Sequence, residues 1–158
     1  MFPCPFFRVP MDTENRIIID APWARVFDAA QRVEEWPLFL RHYRRVEVEP
    51  WQGLEREVRM SASRDGFPCW WTALQRPERP AKRIHYVHTR SAFTRGMEVW
   101  WILKPLGPGR TEVTLTHTMP PEPPLRAWFR QRIVGDLFVC AIAERTLAGV
   151  KLRLEARP

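Results

Sequence analysis

Through the middle of this 158-residue chain, apolar side chains return at every second position. Successive runs are Val58, Met60, Ala62; Cys69, Trp71, Ala73, with Gln75 next in phase; Ile84, Tyr86, His88; Met97, Val99, Trp101, Leu103; and Val113, Leu115, His117, Met119. A period of two puts each set on one face of a β-strand. Val46 and Val48, alternating with Glu47 and Glu49, add one more such run. Arg64-Asp65-Gly66, the stretch from Arg76 to Pro80 and the stretch from Pro105 to Gly109 supply turn chemistry between runs. The pattern predicts six antiparallel strands from about Arg44 to Met119, and the β-branched run from Arg16 to Asp20 supplies a seventh.

The alternation fails at two places. Pro22 is suited to the first turn of a helix reaching about Gln31, capped by Asp20 or the adjacent turn, with Val26, Phe27 and Ala30 on its apolar face. Trp36-Pro37 interrupts it, and Leu38, Phe39 and Leu40 form a second short helical piece leading into a strand beside Tyr43. Near the end, Pro120-Pro121-Glu122-Pro123-Pro124 stops the last strand. From Leu125 to about Glu155 the spacing changes to three and four: Phe129, Ile133, Leu137, Cys140, Leu147, Val150 and Leu154 form the stripe of one long amphipathic helix. Glu144 falls on that stripe and reads as an edge or ion-paired position.

The predicted class is α+β: a strand, two short helices, six antiparallel strands and a long terminal helix, with a wedge between curved sheet and helix. Residues 12–155 make one domain, and residues 1–11 are expected to be a mobile N-terminal extension unless Phe6 and Phe7 dock on the body.

Composition narrows the chemistry. Eight Trp and nine Phe against two Tyr permit an apolar cavity. A formal charge of +7 is scattered along the chain, which favours a solvated basic surface over a nucleic-acid site. Arg41, Arg44 and Arg45 near the expected pocket keep open an interaction protein for RNA, the ribosome or an acidic carrier protein. Cys4, Cys69 and Cys140 are odd in number without CxxC spacing, which points to reduced thiols and a cytoplasmic setting. The N-terminal stretch resembles neither a signal peptide nor a membrane span. His85 and His88 face opposite sides of one strand and cannot share a metal, and neither a phosphate-cradling loop nor a hydrolase nucleophile motif is present. The expectation is therefore no metal and no cofactor.

The stretch IIIDAPWARVFDAAQRVEEWPLFLRHYRRVEV, the spacing from Trp71 through Phe93 to Met97 and Trp101, and the closing long helix resemble the START-like superfamily with the helix-grip fold. Within it they are similar to polyketide aromatase/cyclases and polyketide cyclase/dehydrase-like proteins, over about Asp12 to Glu155. The resemblance implies a seven-stranded curved sheet gripping the C-terminal helix around a ligand cavity. It places Tyr43 on the tyrosine such enzymes carry after WPxLF, Trp36 on their helix-turn tryptophan, and Trp71 and Trp101 on strand tryptophans. Two strand arginines thought to orient the polyketide and polarise its carbonyls fall here on Gln75 and His88. It also implies an acyl carrier protein or polyketide synthase as partner, whereas coenzyme Q binding members of the superfamily imply a lipid or quinone carrier.

Aldol closure needs an acceptor for an acidic α-proton and donors for the developing oxyanion. Tyr43 and His88 are the candidate catalytic groups, and Trp36, Trp71, Gln75, Trp101 and His117 the candidate ligand-binding ones. The function expected is binding of a hydrophobic small molecule, of polyketide, lipid or quinone class, with cofactor-free cyclisation or dehydration as the reaction.

Overall fold

The computed structural model describes residues 9–91 and 93–156. Seven antiparallel strands form one sheet: β1 (Val9–Ile19), β2 (Tyr43–Val48), β3 (Arg56–Arg64), β4 (Phe67–Glu78), β5 (Arg83–Ser91), β6 (Glu98–Gly107) and β7 (Arg110–Glu122). Their order is β1-β7-β6-β5-β4-β3-β2. Consecutive strands from β2 to β7 are neighbours, and β1 closes on β7, so β1 and β2 become the two edges. The chain crosses between those edges through α1 (Trp23–Gln31) and a 3-10 helix (Val33–Leu38). This is the α+β helix-grip arrangement that the alternation and the resemblance led us to expect.

Local chemistry sets the turns. Between β3 and β4, Arg64 pairs with Phe67 across Asp65 and Gly66, whose φ values of 50° and 90° suit a two-residue hairpin loop matched to strand twist. β1 is longer than its β-branched run suggests, because Met11, Thr13 and Ile19 face the interior in strand phase and pair with β7. Residues 9–11 of the expected extension thus belong to a strand, and Met11 is fully buried. The rest of the extension, with Phe6, Phe7 and Cys4, lies outside the described residues. Pro22, not Asp20, precedes α1, and it makes no side-chain cap. The backbone N–H of Asp20 instead donates to Glu155 of the C-terminal helix at 2.7 Å.

That terminal helix is continuous but not uniform. α2 (Pro124–Arg130) passes into a π-helical segment (Gln131–Val139) and then into α3 (Cys140–Glu155). Its buried residues are Ala127, Arg130, Gly135, Val139, Ala143, Thr146, Leu147 and Val150. The step from Arg130 to Gly135 is five residues, the period of a wider turn. This corrects the expected stripe. Leu147 and Val150 are buried, but Phe129, Ile133 and Leu137 are about half exposed, because the wider turns of the π segment shift the phase between the two ends of the helix and a single 3.6-residue stripe cannot follow the buried face along both. Glu144 is exposed.

Candidate functional site

Between the concave face of the sheet and the terminal helix lies a cavity of about 250 Å³. Strand alternation aims Met60, Trp71, Tyr86, His88, Val99 and His117 into it, while the wide turns of the helix supply Val134, Phe138 and Val139 from the other side. Trp36 of the 3-10 helix closes the inner end, fixed by its indole N–H donating to the Ala29 carbonyl at 2.9 Å. Phe67, Trp70 and Phe93, on two hairpins, stand half or more exposed at the other end.

Six of the seven expected site residues meet here: Trp36, Tyr43, Trp71, His88, Trp101 and His117 all line the cavity. Tyr43 was expected at the mouth, but it is 6% exposed and packed among aromatics. Its ring lies edge-on to Trp36 at 5.0 Å and to Trp71 at 6.1 Å. A bulge in the pairing of β2 with β3 turns Tyr43 inward while Arg44 and Arg45 both stay outside. The Tyr43 hydroxyl has Thr146 Oγ1 at 3.5 Å, too far for a good O–H···O bond, so it is available to a ligand. Burial raises its pKa well above that of an ordinary tyrosine, so it acts as a neutral donor.

Gln75 is the seventh, and the structure does not bring it to the cavity. It is inward but lies under the end of α1, fully buried. There its side chain accepts from Arg56 Nε and donates to the Gln31 carbonyl and the Tyr86 hydroxyl, both at 2.8 Å. Tyr86 in turn donates to the Ala30 carbonyl at 3.1 Å. Arg56 is held by Glu34 at 2.9 Å, which makes the cluster a closed joint between sheet and helices. Every polar group of Gln75 is used internally, so none remains to hold a ligand.

His88 stacks on Trp71, with ring centroids 5.5 Å apart and planes 5° from parallel. Its Nδ1 is 2.8 Å from Thr94 Oγ1, and Thr94 Oγ1 is 2.8 Å from Ser91 Oγ. Among the described residues Nε2 makes no hydrogen bond. Burial, with a smaller contribution from the neighbouring His117, pushes His88 down to about 3. His117 is pushed down to about 4 by burial, and its Nδ1 is buried without a partner. Both imidazoles are therefore neutral at physiological pH. Cys69, also in the lining, is pushed up to about 11 by burial and stays a thiol.

No lining residue among those described is Asp, Glu, Lys or Arg. With Tyr43, His88 and His117 neutral as well, the cavity is an uncharged apolar chamber with a few hydrogen-bonding tips. Among the described residues no group of three His, Cys, Asp or Glu is placed to hold a metal, and no helix is long and apolar enough to cross a membrane. Sequence reasoning missed Ser91 and Thr94. The signal was present, as two hydroxyl residues three apart in the turn directly after the strand carrying His88.

A family model described as polyketide cyclase/dehydrase and lipid transport matches residues 19–138. No curated protein sequence matches the chain. Among solved structures, TTHA0849 from Thermus thermophilus superposes with a TM-score of 0.76 at 24% identity, covering 90% of this chain and 96% of that one. The Zhui aromatase/cyclase from a Streptomyces species gives a TM-score of 0.76 at 18% identity, with 94% and 98% covered. Norcoclaurine synthase from Thalictrum flavum gives 0.72 at 11% identity, with 94% and 89% covered. At these identities the likeness is one of fold.

Proposed function

Because the chain belongs to the polyketide cyclase/dehydrase and lipid transport family, we propose that it binds an uncharged hydrophobic small molecule of polyketide type in the cavity and promotes its cofactor-free cyclisation or dehydration. The observation that carries this reading is the convergence of Tyr43, His88 and His117 in a chamber otherwise walled by apolar side chains. Such a chamber folds a flexible chain and excludes water, and its few tips fix the carbonyl to be attacked.

The depressed pKa of His88 shapes the chemistry. A base whose conjugate acid has a pKa of about 3 is far from the optimum for proton abstraction at neutral pH. β-Dicarbonyl carbons, however, enolise without a strong base. The contribution left to the protein is to bring an enol carbon against a second carbonyl and to donate hydrogen bonds to the oxygen that becomes an alkoxide. The new C–C bond forms from the enol π electrons, the enol C–OH becomes a carbonyl, and its proton ends on the oxygen of the attacked carbonyl, where neutral donors hold the negative charge as it develops. Loss of that hydroxyl with an adjacent proton, as water, completes dehydration. An acyl carrier protein or polyketide synthase would supply such a chain.

A second reading is a non-catalytic carrier of a lipid or quinone. The uncharged lining favours it, since neutral donors stabilise an oxyanion less than arginine does. Native mass spectrometry of the purified protein, with release and fragmentation of any adduct, separates the two. A bound polyketide-type molecule that is converted on incubation, with turnover falling 10²-fold or more in Tyr43→Phe and His88→Ala while binding persists, is the expected result. A lipid or quinone released unchanged would establish the carrier instead.

A further inference from the structure

We infer that Ser91 and Thr94 are positioning residues that fix His88 as a neutral hydrogen-bond donor, its N–H at Nε2 offered to the cavity, so that the site selects an uncharged ketone. This inference rests on the reading of the cavity as a ligand site and adds the polarity of its central contact.

The proton direction follows from the lone pairs along a short chain of hydroxyls. Ser91 Oγ accepts the backbone N–H of Phe93 at 3.2 Å and that of Thr94 at 3.1 Å. A hydroxyl oxygen has two acceptor sites and one proton, so these two bonds fill the former and leave the proton to be donated. Ser91 Oγ and Thr94 Oγ1 are 2.8 Å apart, a separation across which either hydroxyl can donate, and because both acceptor sites of Ser91 are already filled the shared proton is assigned to Ser91. Thr94, receiving there, turns its own proton to His88 Nδ1, also at 2.8 Å. An imidazole that accepts at Nδ1 and is neutral carries its hydrogen on Nε2.

Two further features agree. The His88 backbone is locked on both sides, its N–H donating to Met97 and its carbonyl accepting from Gly96, so the ring is presented from a fixed hairpin. Its face is held flat against Trp71, which leaves the ring edge as the part able to meet a ligand. His88 thus takes the place that the family resemblance gives to an arginine, and does the same work of polarising a carbonyl without its charge. A carboxylate ligand would have to bury a negative charge in a chamber with no cation among its described lining residues, which disfavours it.

The direct test is the tautomer of His88, read from long-range ¹H–¹⁵N correlations of the uniformly labelled full chain. The expected spectrum shows a protonated Nε2 and a bare Nδ1. Thr94→Val, which removes the donor to Nδ1, is expected to move His88 toward the other tautomer, and Thr94→Ser to restore it. Ser91→Ala serves as a second perturbation should Thr94→Val fold poorly. A wild-type His88 protonated at Nδ1 would overturn the proton direction and with it the inference.

The ligand class is tested by calorimetric titration with 2-acetonaphthone, 2-isopropylnaphthalene and 2-naphthoate. The ketone is expected to bind about tenfold tighter than the hydrocarbon of similar shape, the scale of one hydrogen bond to an otherwise unpaired buried donor. It should also bind tighter than the anion. Equal affinity of ketone and hydrocarbon would overturn the donor role while leaving the cavity intact as a ligand site. Binding of none of the three would overturn the cavity reading itself, and the ketone selectivity with it.

Discussion

Gln75 shows how much a single residue's direction leaves open. Alternation along β4 correctly turns it inward, but inward means toward whatever covers that part of the sheet, and here it is the end of α1. Replacing Gln75 by Leu preserves volume but strips Arg56 Nε, the Gln31 carbonyl and the Tyr86 hydroxyl of a buried partner. The Gln31 carbonyl keeps Arg56 Nη2 at 2.9 Å and the Tyr86 hydroxyl keeps the Ala30 carbonyl, so the group left unpaired is Arg56 Nε, and urea unfolding should report a loss of about 2 kcal/mol with ligand affinity unchanged. A loss of affinity without a loss of stability would return Gln75 to the site. His88 and His117 were legible from the same alternation because their positions on β5 and β7 face the cavity and not the end of α1. The hydroxyl chain behind His88 was not, since its meaning depends on distances across a turn.

At the scale of elements, strand register and turns were readable because both follow a short-range code. Two-residue periodicity marks buried faces, and Asp65-Gly66 supplies the positive φ values a tight hairpin requires. The terminal helix was readable in extent but not in phase. A π segment changes the number of residues per turn, so a stripe drawn with a 3.6-residue period drifts off the buried face within two turns. The join between that helix and the chain just after the 3-10 helix is equally local in cause. A Cβ built on Gly149 would overlap Cδ2 of Leu40, which is itself 2% exposed. Glycine is kept there by close approach, against its usual helix penalty. Gly149→Ala is expected to destabilise the fold by about 1 to 3 kcal/mol, as overpacking does, despite the higher helix propensity of alanine. Adding Leu40→Ala should cost less in the Gly149→Ala background than in the parent chain, because the two changes occupy the same space. Strict additivity in that double-mutant cycle would mean that the contact is not what holds the glycine.

For the molecule as a whole, enclosing an uncharged chamber has a consequence in its response to acid. In the unfolded chain His88 and His117 take up protons near the ordinary histidine pKa of about 6.5, whereas burial in the folded protein holds them at about 3 and about 4. Between those limits the unfolded state binds more protons, so stability is fully present above about pH 6.5 and falls as the pH drops toward 4. Each group contributes a slope approaching 1.4 kcal/mol per pH unit, and the pair would remove about 4 kcal/mol between pH 7 and pH 5, a large part of the stability of an ordinary domain. Urea midpoints measured across that range should decline steeply, and His88→Gln and His117→Gln should each flatten the decline, whatever they do to the absolute midpoint. A profile whose slope neither variant changes would show that both imidazoles reach water in the folded protein. A ligand that fills the chamber and binds only the folded state should raise the whole profile. If that ligand accepts a hydrogen bond from Nε2–H of His88, the donor survives protonation of Nδ1, so the ligand's stabilising effect should persist as the pH falls. An effect that fades through the histidine titration would mean that the ligand instead donates to a bare Nε2, so the acid response of the occupied fold reports which way that bond runs.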